Sequence, residues 1–395
     1  MGMHNPVRVL AWVFAVLLPS AAPALADGFD FPPGFRTQEI ETNGTVLHVR
    51  VGGTGPAVVL IHGYGDTGDM WAPAAADLMR DHTVIAPDLR GMGLSAGAAG
   101  GFTKKNQAED IAGVMDALHI ERADVVGHDI GNMVAFAFAE AHPDRTTRLV
   151  MMDAPVPGIG PWEEILKSPL LWHFRFGGPD MERLVAGRER IYLDRFWNEF
   201  SADPAHFLEA SRRHYAALYA QPGHMHAGFL QFAAFDQDAI DNRASSALGR
   251  LRMPVLAIGG DHSFGTTMAF VMRFAADDVH ARVIANSGHW LMEEQPQATV
   301  AAIRAFLNAG AAIAQARLTS TEVDGLARDG ASAGTSGLSG IQTTVLSGDP
   351  NAPGPYAFEI RVPAHTRIAA HRHRDNRTAL VVSGEWHFGY GGQAN

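Results

Sequence analysis

An aspartate lies at the centre of a segment whose spacing is typical of a turn that presents a nucleophile. In VVGHDIGNM, residues 125–133, Gly127 and Gly131 stand two positions before and after Asp129. Small residues at these positions permit a strained turn between a strand and a helix, and such a turn exposes its central side chain. Because an aspartate is ionised near neutral pH, it can attack a carbon atom without a base to activate it. The alternative is an ordinary turn in which Asp129 caps the following helix.

Three other segments favour a catalytic role for Asp129 over a capping role. IHGYG, residues 61–65, ends the first strong strand pattern, and PDLRGMGLS, residues 87–95, follows the second. GHW, residues 288–290, comes late in the chain and supplies His289. Histidine is the side chain most often used as a general base. The four segments together therefore predict a nucleophile and a base that act in one site.

The order of apolar runs and helical patterns predicts how these residues are positioned. Short apolar runs bounded by Gly, Pro and Asp alternate with longer helical patterns, which indicates βαβ units and a mostly parallel sheet. The predicted strands are residues 57–63, 82–88, 123–129, 147–153, 254–260 and 281–288. In doubly wound sheets, ligands bind at the carboxyl ends of the strands. The polar residues that fall there are His62, Asp88, Asp129, Asp153, Asp261 and His289.

Residues 155–245 interrupt this alternation. They are rich in aromatic residues and helix formers, and they contain no convincing strand pattern. We expect them to form a helical cap, inserted between two strands at the carboxyl edge of the sheet. An insertion at this edge would cover the site.

Length, charge and the N-terminal segment limit the class of protein. The chain has 395 residues, of which 47% are hydrophobic, and can bury at least one large core. Its net charge of −11 argues against a nucleic-acid partner.

Residues 1–26 have the pattern of a signal peptide, with Arg8 before an apolar run at 9–18 and Ala26 at the expected cleavage site. Since that run is too short for a comfortable membrane span, we expect an exported protein, periplasmic or extracellular, with no span in its mature form.

The composition changes after about residue 318. Residues 318–340 are rich in Gly, Ser, Thr and Ala, and we predict a flexible linker between a domain at 27–317 and a small β-rich tail at 341–395. The tail segment HRHRDNRTALVVSGEW, residues 371–386, resembles the first metal motif of a cupin domain.

The metal motif of this tail is incomplete. Arg377 stands where the resemblance implies a glutamate, and no second motif follows. His371 and His373 alone would make a poor metal site. We therefore expect a partial cupin-like domain without a bound metal.

Residues 30–308 resemble the α/β-hydrolase superfamily, and within it the epoxide hydrolases and their dehalogenase relatives. The order of nucleophile, acid and histidine along the chain is also that of this fold. Finer matches are to secreted Cif-like epoxide hydrolases. They lie in VMMDAPVPG (150–158), WHFRF (172–176), LVAGRERIYLDRF (184–196) and SGHWLMEE (287–294). The resemblance implies an α/β-hydrolase fold, with a mostly parallel sheet and a helical cap.

The resemblance also implies roles for the residues singled out above. Asp129 would be the nucleophile, and His289 would activate water. Asp153 matches the position of the acid that orients this histidine. Asp261 occupies the later loop that many hydrolases use for the same purpose, so two candidates for the orienting acid are open.

A carboxylate nucleophile suits an epoxide or an alkyl halide. Attack on an sp³ carbon gives an alkyl ester of Asp129 and passes through no tetrahedral oxyanion. Water activated by His289 would then attack that ester, and this second step does create an oxyanion. The backbone N–H groups of Tyr64 and Ile130 are the predicted donors to it. We expect no cofactor.

The leaving group separates epoxide hydrolases from dehalogenases. Haloalkane dehalogenases usually carry a tryptophan directly after the nucleophile, and fluoroacetate dehalogenases carry arginines one and four residues after it. Here these positions hold Ile130 and Met133. In the Cif-like group a histidine and a tyrosine donate to the epoxide oxygen. His173 matches the histidine, whereas Phe232 stands where the tyrosine belongs.

These assignments leave the donor to the epoxide oxygen open. His173 can act alone or with Tyr215, Tyr219 or another cap residue, and it can also be an ordinary polar residue on a helix. We expect His62, Phe232 and Trp290 to contact the substrate. The predicted function is hydrolysis of a small hydrophobic epoxide to a diol. The alternatives are a dehalogenase and a non-catalytic binding protein with the same fold; a homodimer is left open.

Overall fold

The structure is a computed structural model that describes residues 30–315, 341–347, 357–363 and 365–366. The expected signal peptide (1–26), the expected linker (318–340) and the two histidines of the tail motif, His371 and His373, lie outside the described residues. The chain divides into two compact units, Met1–Val300 and Ala301–Asn395.

An eight-stranded sheet forms the centre of the first unit. Its strands are β1 (Arg36–Thr42), β2 (Thr45–Gly52), β3 (Ala57–Ile61), β4 (Thr83–Pro87), β5 (Ala123–His128), β6 (Thr146–Met152), β7 (Val255–Gly260) and β8 (Val279–Ile284). Their order across the sheet is β1-β2-β4-β3-β5-β6-β7-β8. In this order, neighbouring strands from β4 to β8 are parallel, whereas β2 pairs in antiparallel fashion with both β1 and β4. The expected mostly parallel sheet is therefore confirmed.

The central strands are buried along their whole length and are mostly apolar. All residues of β3, β5 and β7 are buried, as is usual for parallel strands covered by helices on both faces. The last predicted strand, 281–288, needs a correction. The observed strand ends at Ile284, because the chain turns at Asn286, whose φ of 56° no strand can contain.

Helices surround the sheet and fill the interval between β6 and β7. The helices are α1 (Ala72–Leu78), α2 (Lys104–Ala117), α3 (Ile130–Ala141), α4 (Trp162–Ile165), α5 (Pro179–Val185), α6 (Glu189–Glu199), α7 (Glu209–Tyr219), α8 (His224–Ala233), α9 (Phe235–Ser246), α10 (Thr267–Met272), α11 (Leu291–Glu294) and α12 (Pro296–Gln315). The predicted cap at 155–245 is observed as α4 to α9, and we call residues 155–246 the helical insertion. Among the described residues, no helix is both long and apolar enough to cross a membrane.

A buried ion pair joins the helical insertion to the rest of the first unit. Lys104 begins α2, and Asp238 lies in α9; neither side chain is exposed. The carboxylate of Asp238 accepts from the backbone N–H of Lys104 at 2.7 Å and lies 3.3 Å from its Nζ. The same Nζ donates to the carbonyl of Gln231 in α8, at 2.9 Å. Two helices of the insertion are thereby attached to α2.

The described part of the second unit contains a small antiparallel sheet. It consists of β9 (Gln342–Ser347) and β10 (Ala357–Arg361). This agrees with a β-rich tail, whereas the resemblance to a cupin domain stays a prediction.

Candidate active site

Asp129 lies in a strained turn between β5 and α3. Its φ of 51° falls in the region that residues other than glycine rarely adopt. A Cβ at Gly127 would lie 2.4 Å from the carbonyl oxygen of Gly131, and a Cβ at Gly131 would lie 2.3 Å from that of Ile61. Both glycines are therefore required for the close approach of strand and helix. The side chain of Asp129 makes no capping hydrogen bond with α3, which overturns the capping alternative.

The two carboxylate oxygens of Asp129 have different neighbours. The backbone N–H of Tyr64 donates to Oδ1 at 2.8 Å. Nε2 of His289 lies 3.6 Å from Oδ2. Ile130 is the first residue of α3, a position whose N–H has no partner within the helix. The carboxylate thus lies between a backbone donor and an imidazole.

Asp153 fixes the orientation of His289. Nδ1 of His289 lies 3.0 Å from both Oδ2 and the carbonyl oxygen of Asp153, and since both are acceptors, Nδ1 carries the proton. In the neutral ring, Nε2 then presents a lone pair toward Asp129. Burial opposes a charge on His289, but the hydrogen bond to Asp153 and the charges of Asp129 and Asp153 outweigh it, so the pKa of His289 is raised.

Asp261 has a different task. Its carboxylate accepts from the backbone N–H groups of Asn286 and Ser287, each at 3.0 Å, and therefore holds the turn that precedes His289. The N–H of Ser287, the side chain of His262 and the N–H of Asn286 lower the pKa of Asp261 to about 2. Of the two acids that the sequence leaves open, only Asp153 contacts the imidazole of His289 in the described structure.

His173 lies in a short 3-10 helix, Pro169–Arg175, at the start of the helical insertion. Its ring is buried among aromatic side chains, with centroids 4.9 Å from Phe196 and 5.1 Å from Phe232. Burial lowers the pKa of His173 to about 4, although the charge of Asp129 acts in the opposite direction. The imidazole is therefore neutral near pH 7 and can donate a hydrogen bond but holds no extra proton.

A cavity of about 60 Å³ lies beside Asp129. It is lined by Tyr64, Asp129, Asp153, Ala154, Pro155, Leu171, His173, Phe174, Phe196, Phe200, Phe232, Ser263, Phe264, His289 and Trp290. Apart from the two aspartates and two histidines, the lining is almost entirely aromatic or aliphatic. The expected substrate contacts of Phe232 and Trp290 are therefore compatible with their position, and the cavity suits an uncharged apolar molecule.

His62 does not line this cavity, which corrects the expectation that it contacts substrate. Its ring is fully buried. Nδ1 donates to the carbonyl of Gly63 at 2.8 Å, and Nε2 accepts from the N–H of Leu89 at 2.9 Å. Both ring nitrogens are occupied by backbone groups, so His62 shapes the loop that carries Tyr64.

The two tyrosines considered as second donors do not line the cavity either. The hydroxyl of Tyr219 accepts from the N–H of Gly65 at 2.8 Å and lies 3.4 Å from the carbonyl oxygen of Asp66. Tyr219 thereby supports the loop that follows Tyr64. Tyr215 is buried and is absent from the cavity lining. Among the lining residues, Phe232 indeed offers no hydroxyl at the position where the resemblance implies a tyrosine.

Sequence reasoning missed two polar residues behind the nucleophile. Nε2 of His128 donates to the carbonyl of His289 at 2.8 Å, and its Nδ1 lies 3.7 Å from Oδ2 of Asp66. Burial lowers the pKa of His128 to about 3, so this ring is neutral near pH 7, and burial raises the pKa of Asp66 well above its usual range. The available signal was a polar residue directly before the nucleophile in an otherwise apolar strand.

A third missed residue is Glu294, which holds the loop before His289. One carboxylate oxygen accepts from the N–H of Gly288 at 3.0 Å, and the other accepts from the N–H of Ala202 at 2.8 Å. Glu294 thus connects the catalytic loop to the helical insertion. Within the described residues, no three His, Cys, Asp or Glu side chains come together in a way that could hold a metal ion.

Comparison with known proteins agrees with this arrangement. Residues 56–296 match a family described as alpha/beta hydrolase fold. A soluble epoxide hydrolase of Corynebacterium sp. (strain C12) is 32% identical over 263 residues, which cover 65% of this chain and 91% of that protein. A fluoroacetate dehalogenase of Burkholderia sp. is 26% identical over 301 residues, which cover 70% of this chain and 94% of that protein.

Solved structures give the same result. The Cif epoxide hydrolase from Acinetobacter nosocomialis superposes with a TM-score of 0.67 at 25% sequence identity, and the match covers 71% of this chain and 91% of that one. The expected α/β-hydrolase fold is therefore confirmed. The chain belongs to the α/β-hydrolase family, as an enzyme similar to the epoxide hydrolases.

Proposed function

We propose that this hydrolase opens an epoxide to a vicinal diol through an alkyl ester on Asp129. The observation that carries the proposal is the contact pattern of the carboxylate, with the N–H of Tyr64 on Oδ1 and Nε2 of His289 facing Oδ2. Oδ2 is the free nucleophile, because Oδ1 already accepts a hydrogen bond. When Oδ2 bonds to a substrate carbon, Oδ1 becomes the carbonyl oxygen of the ester.

Ring opening breaks the bond between that carbon and the epoxide oxygen, which keeps the electron pair. His173 faces the cavity as a neutral imidazole, so it stabilises the developing alkoxide by a hydrogen bond. The proton that completes the hydroxyl group comes from this imidazole or from water. Phe232 has no hydroxyl that could donate to the epoxide oxygen. We therefore assign His173 as the one donor that the helical insertion supplies.

Hydrolysis of the ester uses the second half of the site. His289 removes a proton from water, and the resulting hydroxide attacks the carbonyl carbon of Asp129. Negative charge develops on Oδ1, where the N–H groups of Tyr64 and Ile130 stabilise it. The bond from the carbonyl carbon to Oδ2 then breaks, His289 returns its proton to this oxygen, and the diol leaves with Oδ2. The water oxygen stays in the carboxylate of Asp129.

A dehalogenase is the second candidate, favoured by the similarity to the fluoroacetate dehalogenase. Two residues argue against it. Ile130 and Met133 stand where arginines would bind the carboxylate of fluoroacetate, and both side chains are apolar and buried. We expect diol formation from a hydrophobic epoxide and little halide release from haloalkanes or fluoroacetate. Halide release as fast as epoxide opening would reverse this order.

The decisive experiment separates the two chemical steps. In His289→Gln, water is no longer activated, so Asp129 should be alkylated by an epoxide and the diol should not be released. Intact-protein mass spectrometry should detect an adduct of one substrate mass, and peptide mapping should place it on Asp129. Asp129→Ser is the matched control and should form no adduct. An adduct on another residue, or turnover by Asp129→Ser, would refute the mechanism.

An isotope experiment on the unmodified enzyme tests the same step independently. In a single turnover in ¹⁸O-labelled water, the label should enter the carboxylate of Asp129 and not the diol. Direct transfer of labelled oxygen to the diol in the first turnover would mean that water attacks the epoxide itself. Asp129 would then be a base, and the ester would not form.

A further inference from the structure

The cavity is too small to enclose a substituted epoxide on all sides. A buried water needs roughly 10–15 Å³ of such space, so about 60 Å³ accommodates a handful of heavy atoms. An oxirane ring has three heavy atoms. The interior therefore holds the ring and a few further atoms, and the rest of a larger substrate must extend beyond it.

One end of the cavity is closed by aromatic rings. Phe232 lies with its centroid 4.6 Å from the ring of Tyr64 and 5.8 Å from that of Phe174. These three side chains are at most 8% exposed. We call Tyr64, Phe174 and Phe232 the closed end. A substituent that points toward the closed end therefore meets the ring atoms of three buried side chains.

Another part of the lining reaches the surface. Ser263 is exposed, and Leu171, Phe200 and Phe264 are partly exposed. We call these four residues the mouth. Phe200 lies 6.1 Å from the ring of His289, and the N–H of Phe264 donates to Asp153 at 3.3 Å. The mouth thus lies beside the catalytic acid and base, and its side chains carry no charge.

We propose that the cavity selects terminal epoxides that carry one unbranched apolar tail, and that the tail leaves through the mouth. This inference rests on the proposed function, since it assumes that Asp129 attacks an epoxide. A terminal epoxide places its unsubstituted carbon inside and its tail between Leu171, Phe200 and Phe264. An internal epoxide has a substituent on each carbon, so one of them must press against the closed end.

The test compares isomers of equal composition and similar polarity. The substrates are 1,2-epoxyhexane, which is terminal, and cis- and trans-2,3-epoxyhexane, which are internal. With the full-length enzyme, kcat/KM should be at least about tenfold higher for the terminal isomer, a ratio of the size that a misplaced methylene group produces in an apolar pocket. Equal or faster turnover of either internal isomer would overturn the inference.

Phe232→Leu tests the closed end. Removal of the ring enlarges this end, so the ratio of kcat/KM between terminal and internal isomers should fall. Phe274→Leu is the matched control, because Phe274 is 52% exposed and absent from the cavity lining; its ratio should equal that of the unmodified enzyme. If Phe232→Leu is folded, as judged by circular dichroism, and keeps the original ratio, the closed end does not determine selectivity.

Leu171→Trp tests the mouth. A larger side chain there should slow turnover of 1,2-epoxyhexane more than turnover of propylene oxide, whose single methyl group fits inside the cavity. An equal effect on both substrates would contradict the path assigned to the tail. Failure of the proposed function itself is distinguishable, because His289→Gln would then form no ester with any of these epoxides.

Discussion

The charge of Asp129 influences the protonation of His289. Burial lowers the pKa of His289, and the hydrogen bond to Asp153 raises it. The negative charge of Asp129 is the next largest influence and also raises this pKa. In the proposed mechanism, ester formation on Asp129 removes that negative charge. The pKa of His289 therefore falls when the ester forms, so the imidazole becomes a free base at the step that requires one.

The pH dependence of diol release should follow from this coupling. Release requires neutral His289, so its rate should increase as pH rises through the pKa of His289 in the ester. That pKa should be lower than the value obtained by NMR titration of the free enzyme. Asp129→Asn, which mimics the uncharged ester, should also lower the pKa of His289. An unchanged titration of His289 in Asp129→Asn would show that Asp129 does not influence the base.

Phe232 offers a gain of function at the same scale. Phe232→Tyr adds a phenol to a ring 5.1 Å from that of His173, on the cavity wall. A second donor to the epoxide oxygen should accelerate ester formation. Positioned acid catalysis typically contributes about 10²–10⁴-fold, which sets the upper limit of the expected gain. Stopped-flow measurement of alkylation in the His289→Gln background checks this, with ester hydrolysis as the control step. A slower alkylation would show that the added hydroxyl points elsewhere.

At the scale of elements, the helical insertion supplies one wall of the cavity and must stay attached to the sheet layer. Lys104 and Asp238 provide a fully buried connection between α2 and α9. Burial lowers the pKa of Lys104 and raises the pKa of Asp238, although each group favours the charge of the other. Such a pair is sensitive to loss of one partner, because the remaining charge is left without a counter-charge.

Lys104→Met should therefore lower the free energy of unfolding by about 3–5 kcal/mol, as measured by chemical denaturation. The double variant Lys104→Met with Asp238→Leu should recover a large part of the loss, because no buried charge then remains. Turnover should fall with the fraction of folded enzyme. A single variant as stable as the unmodified enzyme would mean that the pair contributes little to the attachment of α9.

At the scale of the whole molecule, the chemistry is confined to the first unit. All residues that line the cavity lie between Tyr64 and Trp290, whereas the second unit begins at Ala301. The expected linker and the tail motif follow residue 317. The export signal is a separate proposal about location, since nothing in the site depends on it.

Truncation after residue 317 should leave epoxide turnover unchanged within experimental error, measured as kcat/KM against the full-length enzyme. The full-length chain should also carry no stoichiometric metal by elemental analysis, because the tail motif offers only His371 and His373. One transition-metal ion per chain, lost in His371→Ala, would show that the tail is a working metal site. A large loss of turnover on truncation would assign the tail a role in catalysis.

The sequence by itself determined the features that depend on local chain geometry. Gly127 and Gly131 predict the turn at Asp129, because the close approach of strand and helix excludes any side chain at these positions. The alternation of apolar runs predicts the parallel strands, since a buried strand must be apolar throughout. The hairpin of β1 and β2 was missed because its residues alternate only partly between buried and exposed positions.

Only the tertiary structure decided which groups meet across the chain. Asp153 and Asp261 both follow buried strands, and no local pattern distinguishes an acid that faces His289 from one that holds a turn. His62 lies at the end of a predicted strand, where ligand contacts are expected, yet the carbonyl of the adjacent Gly63 and the N–H of the more distant Leu89 occupy its two ring nitrogens. The size of the cavity depends on rings contributed by several separate helices and loops. The positions of these rings depend on packing between segments that are distant in the chain, so they cannot be predicted from sequence spacing.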